Sequence, residues 1–144
     1  MWDRFVENVV ATHQRCPHVR IRFGITVSVF NIAELASLHE TLMAFGVCDA
    51  DAFHIHVLQQ WEGYSITILP PALKQRFADR LQRRIAALPN NPAISDQLRH
   101  VIAHMLGTNR SDLLGKFRDI TLDLDRVRGE STAKTCPELA ELLA

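Results

Sequence analysis

The chain has 144 residues, 47% of them hydrophobic and 22% charged, and its sixteen basic residues balance sixteen acidic ones. This composition excludes a disordered or fibrous chain, and the length admits one domain rather than two. A pI near 7.1 leaves no global field to gather nucleic acid or an anionic membrane, and no apolar run reaches the roughly 18 residues that span a bilayer. Cys16, Cys48 and Cys136 are odd in number and widely spaced. They form neither a disulfide framework nor a CxxC metal knuckle. Asp3, Arg4 and Glu7 interrupt the first ten residues, which argues against a signal peptide. A reducing cytoplasm is the expectation.

In chain order, Trp2, Phe5, Val6, Val9 and Val10 recur at helical spacing, so residues 2–15 read as an amphipathic helix ended by Pro17. From His18 to Phe30 the period changes to two. Ile21, Phe23, Ile25, Val27 and Val29 share one face, and Arg20, Arg22, Thr26 and Ser28 share the other, the pattern of a half-buried strand. Asn31 and Glu34 resemble a capping box at the head of a helix through Leu35, Leu38, Leu42 and Phe45, which Gly46 stops. After Asp49-Ala50-Asp51, residues 52–58 alternate Phe53, Ile55 and Val57 with His54 and His56, a second strand. A third is expected over 64–69, where Tyr64, Ile66 and Ile68 alternate with Ser65 and Thr67. The helix between the first two strands implies a parallel pair, and the short link after the second implies an antiparallel hairpin.

Pro70-Pro71 opens the next helix, 72–88, with Leu73, Phe77, Leu81, Ile85 and Leu88 as its apolar stripe. Lys74, Arg76, Arg80, Arg83 and Arg84 form its solvated face. Pro89-Asn90-Asn91-Pro92 is a break. Residues 93–106 read as a helix through Ile94, Leu98, Val101, Ile102 and Met105. Residues 111–128 read as another through Leu114, Phe117, Ile120, Leu124 and Val127, closed by Gly129. Pro137 starts a short last helix, 137–143. The fold class is therefore a single α/β domain over 1–144. Its α-β-α-β-β portion spans 1–70 and its helical portion 71–144, with helices packed on the apolar face of a three-stranded sheet.

Several segments resemble one family in a single order over about 110 residues. Thr26-Val27-Ser28-Val29-Phe30-Asn31 resembles the "TVSxFN" segment of twitch-domain radical S-adenosylmethionine proteins. Ile55-His56-Val57-Leu58 resembles their "hihlv" strand, and Tyr64-Ser65-Ile66-Thr67-Ile68-Leu69-Pro70 with Lys74 resembles "YSIxxLPxxxK". Asp123 with Arg126-Val127-Arg128 resembles "LDxxR", and Cys136-Pro137-Glu138-Leu139 resembles "fPEL". Trp61-Glu62 stands where the family often has Pro-Glu. The CxxxCxxC motif that ligates the family's iron–sulfur cluster is absent, and the three cysteines do not supply its spacing. A complete (β/α)8 barrel takes about 250 residues. The resemblance therefore implies a detached C-terminal part of a partial barrel, without radical chemistry and without a cofactor.

Candidate ligand-binding residues gather on the polar face and open end of the first two strands: Ser28, Asn31, His54, His56, Gln59 and Glu62. Asn31 lies just past the C-terminal end of a strand, the edge that carries ligands in α/β sheets, although the capping box makes a helix N-cap the favoured reading, and both can hold. His54-x-His56 has the spacing of a two-imidazole metal site, and His100 and His104 share a helix face. Nothing in the sequence joins the two pairs, so solvated or hydrogen-bonded histidines are expected and no metal is assigned. No triad, P-loop, GxGxxG or HExxH occurs, and no catalytic residue is assigned. The face is expected to be solvated, covered by a partner chain, or the floor of a small-molecule cleft. A small sheet leaves edges to pair, so homodimerisation through a sheet edge or through the C-terminal helices is expected.

Overall fold

The computed structural model describes residues 2–46, 52–88 and 90–144; Cys48, the Asp49–Asp51 loop and Pro89 lie outside these. Seven helices and two strands are described in the order α1 (Trp2–Arg15), β1 (Phe23–Val27), α2 (Leu35–Ala44), β2 (Phe53–Val57), α3 (Pro71–Ala86), α4 (Pro92–Gly107), α5 (Leu114–Arg128), α6 (Thr132–Thr135) and α7 (Ala140–Leu143). β1 and β2 pair in parallel with Phe23 opposite Phe53 and Val27 opposite Val57, as the intervening helix requires. The Phe23 and Phe53 rings stack across the strands at 5.4 Å. Ile25, Val27 and Phe53 sink into one core with residues from α2, α3 and α4. Gly46 and Gly129 both take positive φ immediately beyond α2 and α5, the left-handed stop that glycine makes without strain.

The expected third strand is a correction. Residues 62–64 and 66–68 form two short 3₁₀ turns. Ser65 Oγ accepts from the Thr67 amide at 3.3 Å and fixes the second turn locally. Ile66, Thr67, Ile68 and Leu69 are consecutively buried, so this segment is enclosed on both sides rather than pleated against one. The edge of β2 that a hairpin partner would need is also occupied. The Gln97 side chain of α4 accepts from the Ile55 amide at 2.7 Å and donates to the Phe53 carbonyl at 3.0 Å. One carboxamide thus reproduces the donor–acceptor pair of a neighbouring strand.

The first strand is also shorter than its period-two pattern, since only residues 23–27 pair with β2; beyond them the Val29 amide donates to the Tyr64 carbonyl at 3.0 Å. The capping box does not form. Asn31 makes no side-chain cap and turns back to the outer edge of β1, where Oδ1 accepts from the Ser28 amide at 2.9 Å and Nδ2 donates to the Thr26 carbonyl at 2.9 Å. Both edges of the two-stranded sheet are therefore capped by carboxamides. Helix 137–143 divides into a 3₁₀ turn, Pro137–Leu139, and α7, and α6 precedes them.

Two helical faces differ from their sequence patterns. On α3, Lys74 is 4% exposed, and its ammonium donates to the Thr108 carbonyl at 2.6 Å, tying α3 to the end of α4. Burial lowers its pKa. Arg80 donates to the Ala33 carbonyl, and Arg84 donates to His39 and pairs with Glu40 at 3.2 Å. These side chains staple helices rather than form a free basic face. On α5, Phe117 is fully buried, but Ile120 and Leu124 are exposed and Val127 is 84% exposed. Thr121, next to Ile120, is only 3% exposed, so the buried face of α5 runs from Phe117 to Thr121, and Ile120, Leu124 and Val127 are turned away from the core.

Candidate functional site on the open sheet face

Alternation along the paired strands sends Gly24, Thr26, His54 and His56 to one face, with Gly24 opposite His54 and Thr26 opposite His56. All four are exposed. At the C-terminal end of the strands this face opens into a cavity of about 480 Å³, lined in part by Thr26, His56, Gln59, Gln60 and His100. His100 follows Gln97 by one helical turn, so the anchoring of Gln97 on β2 carries His100 to the same rim. The lining offers a hydroxyl, two carboxamides and two imidazoles and no carboxylate. Such a set both donates and accepts hydrogen bonds, and it carries no fixed negative charge to repel an anionic ligand.

The six sequence-derived residues separate into three groups. His56 and Gln59 line the cavity together, and His54 lies on the same exposed face without lining it. Ser28 and Asn31 serve the backbone: the Ser28 hydroxyl accepts from the Phe30 amide at 3.4 Å, and both ends of the Asn31 amide are engaged on β1. Glu62 points elsewhere. It pairs with Arg110 at 3.1 Å and lines a different, 260 Å³ groove with Trp61, Tyr64 and Ile120. Sequence reasoning placed His100 apart from the strands, because the Gln97 contact that joins them spans more than forty residues.

Among the described residues no group of three or more His, Cys, Asp or Glu side chains is placed to hold a metal ion. No helix among them is long and apolar enough to cross a membrane. A histidine away from this face, His39, is buried, 1% exposed. Its ring meets Phe53 edge-on at 4.7 Å, and Nδ1 accepts from Arg84 Nε at 3.1 Å. Burial, and then the Arg84 charge, lower its pKa to about 4. It is held as the neutral imidazole, a structural acceptor inside the core. Cys136 is half-buried and donates to the Phe30 carbonyl at 3.7 Å. Burial, together with Glu138 and Glu34, raises its pKa, the opposite of what an activated thiol requires.

The chain matches no protein-family model, no curated protein and no solved structure.

Proposed function

We propose that this chain is a non-catalytic accessory or interaction module that binds a partner chain or a small ligand on the polar sheet face. In this reading it corresponds to a detached C-terminal part of a radical S-adenosylmethionine protein, without the cluster-binding half. One observation carries the reading. The sheet closes both of its edges with side-chain amides, yet leaves a face bearing His54 and His56 exposed beside a polar cavity. The free thiols of Cys16 and Cys136 accord with a reducing, cytoplasmic setting.

Co-expression with a chain of the same host that carries CxxxCxxC tests the partner. Copurification is expected with the native chain and is lost in His54→Ala/His56→Ala, while circular dichroism stays native. Copurification unchanged in the double variant contradicts the assignment of this face.

Self-association belongs to the same proposal. Of the two routes, a sheet edge or the C-terminal helices, the apolar flank where Trp61, 77% exposed, and Ile120 share a groove, with exposed Val127 two turns further along α5, supports the second. Light scattering at micromolar concentration is expected to give a dimer that Val127→Glu dissociates. A clean 16.3 kDa monomer of the native chain overturns it.

A second reading, a small metal-binding protein or enzyme built on His54, His56 and Asn31, draws on the cavity shared by His56 and His100. The occupied amide of Asn31 weighs against it. Stoichiometric zinc lost in both His56→Ala and His100→Ala favours this reading, and metal-free purified protein retires it.

A further inference from the structure

A second cavity, of 350 Å³, lies away from the sheet face between α5 and the turns around α6. Its volume falls at the lower end of the roughly 300–1,000 Å³ typical of small-molecule sites. One wall is apolar, formed by Phe30, Tyr64 and Leu124. The two rings are held by their mutual contact at 5.2 Å and by Phe117 behind them, at 5.8 Å from Phe30 and 6.2 Å from Tyr64. The two rings pack against the core and are set before any ligand arrives, while Leu124 is exposed at the rim.

The polar lining is unevenly engaged. Both oxygens of Asp125 are engaged, accepting from the Thr132 amide at 2.7 Å and the Thr132 hydroxyl at 2.8 Å. The Cys136 thiol is turned to Phe30. Thr121 differs. It borders the cavity, is 3% exposed, and its hydroxyl has no hydrogen-bond partner. A buried hydroxyl left unpaired is a cost that a ligand group bonded to it would recover. Arg128 and Glu130 border the same cavity, are exposed, and form no ion pair among the described residues. A cation and an anion thus stand free beside an apolar wall and an unpaired hydroxyl.

We propose that this cavity is a binding site for a small zwitterion with an apolar body, the chemical class of a free hydrophobic α-amino acid. Arg128 takes the carboxylate, for which its guanidinium fork is suited, and Glu130 takes the ammonium. Phe30, Tyr64 and Leu124 pack the apolar body, and Thr121 supplies a hydrogen bond from the cavity wall. The proposal is independent of the sheet face, because no lining residue is shared between the two cavities.

The test is an amide chemical-shift titration of the full chain with L-phenylalanine and L-leucine. Each is compared with its carboxamide, which lacks the carboxylate, and with its des-amino acid, which lacks the ammonium. Saturable shifts confined to residues lining this cavity are expected for the two amino acids, with binding at least about tenfold weaker for both analogues. Arg128→Gln is expected to erase the discrimination between acid and carboxamide. Thr121→Val is expected to weaken binding while the melting temperature holds or rises, a combination that a purely structural hydroxyl would not give. Absence of saturable shifts with both amino acids up to about 10 mM overturns the proposal. So does equal binding of the analogues, binding unchanged in both variants, or shifts centred on His56 and His100.

Discussion

The two edges of the sheet are closed by the same device in different surroundings. On β2, Gln97 reaches in from α4 to a backbone that is already dry: Phe53 is buried, stacked on Phe23 and flanked by the edge of His39. On β1, Asn31 folds back from the next turn onto Thr26, which is exposed. A carboxamide that replaces a strand neighbour is worth most where water cannot replace it. The β2 edge should therefore depend on its cap more heavily than the β1 edge does. The open face between the two edges should depend on neither.

The largest expected effect probes how dry the β2 side is. His39 has its folded pKa lowered from 6.5 to about 4, so the unfolded chain binds the extra proton between those values. Stability from this group is complete above pH 6.5, falls as the pH drops from 6.5 toward 4, and levels off below that. The total loss is about 3 kcal/mol. Urea unfolding across this window should show the slope, and His39→Asn should flatten it. A native chain without the slope would mean that water reaches the ring.

Next in size is Gln97→Leu, which strands the Ile55 amide and the Phe53 carbonyl together. Chemical denaturation should show a loss of about 2–3 kcal/mol. Asn31→Leu should cost about 1 kcal/mol, because water can reach the exposed Thr26 side. Equal losses for the two substitutions would break the distinction between a dry and a wet edge. The smallest effect belongs to the face. His54→Ala/His56→Ala should change stability by no more than about 0.5 kcal/mol, as surface substitutions do, while removing partner binding. A large loss of stability would show that the face is structural after all.

What the sequence made legible follows from the range of the interactions. α1, the parallel pair and the two glycine stops rest on local pattern, and each appears where the periodicity places it. The third strand failed because a residue on a later helix, Gln97, holds the edge it needed, and alternation over six residues carries no record of that. Asn31 and Glu34 had the right spacing for a cap, but the amide found a better partner in the strand behind it. The α5 stripe reads as core through Leu114, Phe117, Ile120, Leu124 and Val127, yet beyond Phe117 the helix buries Thr121 and exposes the other three. Apolar spacing alone does not decide which of two neighbouring faces a helix turns to its core. Lys74 and His39 are charged or polar by type and buried by position, and no local signal marks either one. Of the candidate site, His56 and Gln59 were legible as strand-end polar residues. His100 became visible only through the anchor of Gln97.

The central claim is that the exposed face of β1 and β2 is where this chain meets its partner or ligand. Photo-crosslinking within the native host tests it most directly, with a photoreactive side chain introduced in place of His56 and, as a control, in place of Arg126 on the exposed side of α5. The account predicts an adduct of discrete mass from position 56 and, from position 126 beside the Val127 flank, at most the crosslinked homodimer. No adduct from position 56, or the same adduct from both positions, would contradict it.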